Sequence, residues 1–431
     1  MVKDFLTRGS AAALSAFIPS VRPALILAIF LAFYGDEVQA TVGLTASYFG
    51  IAVVVTAGFT VSAVFALAKH VASPAADYAP ILVGEFRVGS AATVVLVVLA
   101  TIVGLFLPSF IEVDAALFGA FWFSSIGSLV IMPFGASLSG AFQAKNRDLE
   151  NLLLGIGVTV VQLGAAVAVG LIGASPFVAV LTVGLTGFAC DLAALLYRSM
   201  FLDRSRGRAL RLMSAGIREF FASPWSGLRQ FPDRTKGALD GLVLMTVFTV
   251  AGTVATQNSA RDGAIVVTVV AILRAFVIPL KQYGMVGGRL IKQRESVGQD
   301  AVRSFRVLTL VSLAILAAVA LSLVVLKAST DAISSIPWLI LLLMVGQLCL
   351  EPITGFGFAA QKILSAPAFG LRTLAIISLC GTIPVLIILP FIQQSTAENV
   401  WLTVFGARLV FAIAIALKLV TWSRATIAVP A

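Results

Sequence analysis

Long, almost unbroken apolar stretches dominate the chain, with short polar breaks between them. Runs of spanning length cover residues 10–34, 40–68, 88–107, 115–144, 152–173 and 177–197, and after a hydrophilic interval 239–255, 263–280, 307–326, 333–360, 374–392 and 400–420. A helix needs about 20 apolar residues to cross a bilayer, and only helices and closed barrels satisfy their own backbone there. The pattern predicts an all-α polytopic membrane protein of about twelve transmembrane helices in two six-helix halves. The halves are residues 1–200 and 239–431, joined by a basic linker over 201–238.

Within the hydrophilic interval 203–240, Leu210, Met213, Ile217, Phe220 and Phe221 recur at helical spacing, with Arg208, Arg211 and Arg218 on other faces. This predicts an amphipathic helix lying on the inner leaflet, or a linker held there by positive charge. Residues 133–143 (PFGASLSGAFQ) and 352–361 (PITGFGFAAQ) end the fourth and tenth runs with the same order: a proline, small residues, a terminal glutamine and then a basic loop. Such a repeat suits helices that bend and approach closely, and equally the general frequency of Gly and Pro in membrane helices.

Composition agrees with the pattern: 59% of residues are hydrophobic and 12% charged, and the mean hydropathy is +1.04. Soluble domains carry roughly 25% charged residues. The net charge of +10 would suit a nucleic-acid partner, but the placement of the charges assigns it to topology. Lys69, Lys145, Arg147, the arginine-rich stretch 198–236, residues 289–306, Lys362, Arg372 and Lys418 fall on one side. Asp36, Glu37, Glu112, Asp114 and Glu398 fall on the other, with Arg261 and Lys327. The positive-inside rule then puts both termini in the cytoplasm of a multi-pass protein of the plasma (inner) membrane. Lys3 and Arg8 before an apolar run are also compatible with a signal peptide cut after residues 38–40, but cleavage would spoil the helix parity. Cys190, Cys349 and Cys380 lie in apolar runs and read as packing residues.

Charges that remain inside apolar runs are the candidate chemistry. Each costs about 2.5–3.5 kcal/mol at the membrane centre and is expected to face a cavity or a partner. The basic ones are Arg22, Arg274, Lys281 and Arg408; the acidic ones are Asp191 and Glu351, with Asp240 near the start of the seventh run. Arg274 and Lys281, seven residues apart, share a helix face two turns apart, with Gln282 beside the lower one. A guanidinium binds phosphate through paired hydrogen bonds, and a lysine acts as a mobile point charge, so this stripe suits a pyrophosphate headgroup. The alternative is that Arg22, Lys281, Arg408 or Asp191 snorkels or pairs structurally. Glu351 is open to an ion pair or to a coupling role through protonation. His70, beside Lys69 at a helix end, reads as a cap. The sequence contains no P-loop, metal-ligand cluster or nucleophile triad, so no cofactor and no enzymatic activity are expected.

Residues 34–74 (YGDEVQATVGLTASYFGIAVVVTAGFTVSAVFALAKHVASP) resemble the first loop and second helix of MATE multidrug exporters, and 273–289 resemble their eighth helix. With the proline segments, the resemblance spans most of the chain and points to the MOP superfamily, which comprises MATE exporters, lipid II flippases and polysaccharide flippases. It implies alternating access between two halves. Where many MATE exporters carry a coupling acid in the first helix, this chain has Leu27, and it carries Arg22 beside Pro23, which looks more like the flippase branches. The leading expectation is a flippase that moves a polyprenyl (pyro)phosphate-linked saccharide outward. Its partners would be that anionic lipid-linked substrate and membrane lipid, with proton, sodium or membrane-potential coupling. The alternatives are a cation-coupled exporter of drugs or metabolites, and a membrane glycosyltransferase using Asp36 and Glu37, although the outer loops leave little room for an acceptor.

Overall fold

The computed structural model describes residues 2–71, 78–111, 113–145, 147–202, 207–293, 336–357 and 367–427, with scattered positions between 309 and 327. Every element among them is helical: α1 (Val2–Tyr34), α2 (Asp36–Val71), α3 (Ala79–Phe106), α4 (Ala115–Ala144), α5 (Asp148–Leu171) and α6 (Pro176–Phe201). The hydrophilic interval holds α7 (Arg208–Ala222) and α8 (Pro224–Thr235). Then follow α9 (Leu239–Asn258), α10 (Ala260–Gln293), α11 (Trp338–Glu351), α12 (Pro367–Ala375) and α13 (Ala397–Ile427). Ten helices among the described residues are long and apolar enough to cross a membrane, and Trp338–Thr354 forms a shorter apolar helix. The expected run 307–326 falls largely outside the described residues.

Local chemistry sets the breaks. Asp114 caps α4 by accepting hydrogen bonds from the Ala116 and Leu117 amides at 2.8 and 3.0 Å. Ser175 caps α6 ahead of Pro176, whose fixed φ suits the first helical turn. Gly35, at φ +83°, turns the chain between α1 and α2, a conformation that side chains other than glycine rarely adopt.

The chain divides into two compact units, residues 29–249 and residues 1–28 with 250–431, and it passes from one to the other inside α1 and inside α9. In the unit 29–249, α4 packs against α2, α3 and α6. Phe86, Leu138, Phe142, Leu82 and Ala63 form its buried core. Gly140 lets α4 approach α2 closely, since a Cβ there would stand 2.5 Å from the Thr60 carbonyl oxygen. Pro133 cannot donate to the Leu129 carbonyl, and other α4 carbonyls on either side of it take side-chain hydrogen bonds from α3 and α2. Thr93 donates to the Val130 carbonyl and Thr60 to the Ala136 carbonyl, each at 3.1 Å. Large apolar residues such as Val94, Leu99, Leu153 and Val160 remain exposed, as lipid-facing surfaces require.

Two features of this unit differ from the sequence expectation. Helix α3 begins at Ala79 rather than near residue 88, because its first turns, although they carry Glu85 and Arg87, find ion-pair partners. The amphipathic interval forms two helices, and the apolar face of the first docks on protein. Leu212, Met213 and Ile217 pack onto the cluster around Phe86, and Gly216 lies so close that a Cβ would come 2.6 Å from the Phe86 Cβ.

In the other unit, α11 packs against α13 with Met344, Leu348, Trp401, Val404 and Phe411 buried. Asp262 joins the α9–α10 turn to α13, accepting from the Ser259 hydroxyl at 2.6 Å and the Ala397 amide at 3.0 Å. Helices α1 and α10 meet through Phe17 and Phe276, with ring centroids 5.9 Å apart.

Candidate functional site

In the unit 1–28 with 250–431, Arg22 is half-buried on α1 and Arg274 half-buried on α10. Among the described residues neither has a hydrogen bond or an ion pair. The ring contact of Phe17 with Phe276 fixes how these helices meet. They are the first and eighth apolar spans, and successive spans alternate in direction, so they run antiparallel. Arg22 lies five residues beyond Phe17 and Arg274 two residues before Phe276. At about 1.5 Å per residue, both guanidinium-bearing positions sit on the same side of the ring contact and differ by about 4–5 Å in depth. Helix α10 continues unbroken through Lys281 and Gln282. The side chains of those two residues lie outside the described residues.

Arg408 and Glu351 meet each other instead. Arg408 on α13 forms an ion pair with Glu351 at the end of α11, and both are buried. The Arg408 Nη2 also donates to the Thr354 hydroxyl at 3.0 Å, and that hydroxyl donates to the Leu350 carbonyl. The backbone widens here into a π-helical turn over Pro352–Gly357, a feature that often accompanies functional positions. One turn before Glu351, Gln347 is fully buried, and neither atom of its amide finds a hydrogen-bond partner among the described residues. The proline segment 352–361 thus begins directly after Glu351 and supplies Thr354 to Arg408, and its part from 358 onward lies outside the described residues.

In the unit 29–249, Asp191 lies half-buried on α6, within electrostatic range of Arg198 two turns along the helix. Arg198 donates to the Asn151 side chain at 3.0 Å. Asp36 and Glu37 are the exposed first residues of α2, where carboxylates complement the positive end of the helix. Asp240 is buried at the start of α9.

The sequence reading overlooked a second ion pair, buried at its acid and partly exposed at its base. Glu85 on α3 is 1% exposed, and its Oε1 stands 2.9 Å from Arg234 Nε on α8. The same oxygen accepts a hydrogen bond from the Ser62 hydroxyl on α2 at 3.2 Å. Both charges lay in stretches read as polar breaks, and 149 positions separate them, so no local spacing revealed the pair.

No protein-family model matches the chain, and no curated protein matches its sequence. Solved structures do match. A multidrug resistance MATE family transporter of the MOP superfamily in an inward-facing conformation superposes at TM-score 0.68 and 14% identity, covering 96% of this chain and 98% of that one. A MATE structure in complex with MaL6 gives 0.63 at 16% identity, with 97% and 96% covered. A eukaryotic MATE transporter gives 0.58 at 14%, with 99% and 97% covered. The chain has the fold of MATE-family transporters of the MOP superfamily, over essentially its whole length.

Proposed function

We propose that this protein is a membrane transporter that flips a polyprenyl (pyro)phosphate-linked saccharide from the inner to the outer leaflet by alternating access. The observation that carries this reading is the state of Arg22 and Arg274. Two guanidinium groups at similar depth, on helices that touch, have no counter-charge among the described residues. Each costs about 2.5–3.5 kcal/mol in hydrocarbon. Retaining both without partners is expected where an anionic ligand supplies the missing charge. Each arginine can offer two parallel hydrogen bonds to phosphate oxygens, which suits a phosphate-bearing headgroup at either position. Lys281, two turns below Arg274 on the same helix face, extends the positive path toward the cytoplasmic end in the expected topology.

A second reading, a cation-coupled exporter of drugs or metabolites, draws on the buried Glu351 and on the similarity to structures named as multidrug MATE transporters. It is less well supported, because Glu351 is already neutralised by Arg408. The glycosyltransferase alternative finds less still, since Asp36 and Glu37 occupy an ordinary acidic helix start.

Depletion of the protein followed by mass spectrometry of lipid extracts tests the proposal. Polyprenyl-linked saccharides are expected to accumulate, with wild type but not Arg22→Ala or Arg274→Ala restoring normal levels. An unchanged lipid profile would exclude the flippase and favour the exporter.

A further inference from the structure

The buried pair Glu85–Arg234 plays no part in the proposed transport path, and its surroundings are informative. Helix α8 and the turn after it pack on α2 and α3 through glycines on both sides of the contact. Gly58 accommodates the Arg234 carbonyl and lies close to the Thr235 Cα, Gly227 faces Ala91, and a Cβ on Gly237 would lie 3.6 Å from the Val61 Cβ. Phe231 of α8 packs on Phe59 of α2, with centroids 6.4 Å apart. A half-open pocket of about 210 Å³ at the junction of α8 and α9 is lined by Val55, Phe231, Thr235, Ala238, Leu239 and Leu242. Helix α8 and the turn Lys236–Ala238 therefore meet α2 and α3 through close contacts at glycines, the packing of Phe231 on Phe59, Val88 and Ala92, and one ion pair, beside a half-open pocket.

The ion pair is itself poorly suited to a permanent brace. Only one Glu85 oxygen is engaged, and among the described residues no donor reaches the other, although it is buried. A buried pair of this kind recovers little more than its desolvation cost, and apolar residues of similar size generally hold two helices together as well or better. Breaking one, however, leaves an uncompensated charge, so the pair favours two discrete arrangements, engaged or solvated, over intermediate ones. Arg234 is 26% exposed on its side chain, so it can reach water while Glu85 stays in place. The position matters because the chain passes from one compact unit to the other inside α9, after Thr249. A change in the course of α9 has to be taken up by the segment that precedes it.

We infer that Glu85 and Arg234 form a releasable latch that docks the α8 strap onto α2 and α3, and that the strap unlatches during each transport cycle. The inference takes transport from the reading above but requires no particular substrate. Val61 and Gly237 provide the test, since a Cβ separation of 3.6 Å lies within the range of about 3.5–4.5 Å that a disulfide bridges.

With Cys190, Cys349 and Cys380 replaced by alanine, Val61→Cys/Gly237→Cys is reconstituted in liposomes and assayed with a polyprenyl pyrophosphate-linked saccharide as probe. Oxidation is expected to lower turnover at least tenfold and reductant to restore it. Full turnover while cross-linked would overturn the latch. Amide hydrogen exchange of the full-length protein supplies a readout independent of substrate. Glu85→Gln is expected to speed exchange over residues 224–241 about tenfold while leaving α4 protected, and Arg234→Gln carries the same expectation should Glu85→Gln fail to fold. Unchanged exchange over 224–241, or a loss of protection spread evenly over α4 as well, would show a static structural contact and overturn the proposal. If reduced wild type does not move the probe, the flippase reading falls, and the exchange result still decides the latch.

Discussion

Arg408 on α13 and Glu351 at the end of α11 neutralise each other inside the second unit, with Thr354 sharing the guanidinium. Two of the charges that the sequence marks as candidates for substrate or coupling are therefore held by each other, whereas Arg22 and Arg274 have no ion-pair partner among the described residues.

That pairing predicts an asymmetric mutational pattern. Arg408→Met leaves a buried carboxylate without its counter-charge and is expected to destabilise by about 3–5 kcal/mol, whereas Glu351→Leu/Arg408→Met removes both charges and recovers most of that loss. Thermal unfolding in detergent distinguishes the two variants. Equal melting temperatures for the single and double variants would contradict the pairing.

Arg22 and Arg274 behave oppositely under the proposed function. Neither contributes an ion pair among the described residues, so Arg22→Ala and Arg274→Ala are expected to leave the melting temperature unchanged or raise it. Binding of inorganic pyrophosphate, read by isothermal titration, should fall at least tenfold in each. Arg274→Lys keeps the charge but not the planar pair of donors and is expected to bind with intermediate affinity.

Close helix packing in the first unit can be tested with two glycines of α4. Gly140→Val forces a side chain against the Thr60 carbonyl and the Ala63 Cβ of α2 and is expected to cost about 1–3 kcal/mol. Gly135→Ala meets nothing within 4 Å and should be neutral or stabilising, by up to about 1 kcal/mol. Melting curves of the two variants provide the comparison.

The helical scaffold was legible in the sequence because lipid imposes long apolar runs, and the runs correspond to α1–α6, α9, α10 and α13, with most ends shifted by no more than about two turns and larger extensions at the start of α3 and the end of α10. The start of α3 was not legible. Proline, glycine and two charges between Tyr78 and Arg87 interrupt the apolar run, and helix persists there because Arg234 and Glu219, far along the chain, neutralise Glu85 and Arg87. The amphipathic period of residues 208–222 correctly indicated a helix, but a period alone does not distinguish a lipid surface from the surface of α3 as the partner of its apolar face. The cost of buried charge identified Arg408 and Glu351 individually. Their mutual contact depends on how α11 packs against α13, which no spacing within either helix records.

The central claim is tested most directly by flipping in proteoliposomes: a fluorescent polyprenyl pyrophosphate-linked saccharide is incorporated, and its exposure to a membrane-impermeant quencher is followed over time. Wild type is predicted to equilibrate the lipid between leaflets at least tenfold faster than protein-free vesicles, and Arg22→Ala/Arg274→Ala to return the rate to background. Equal rates with and without wild-type protein, or undiminished flipping by the double variant, would contradict the account.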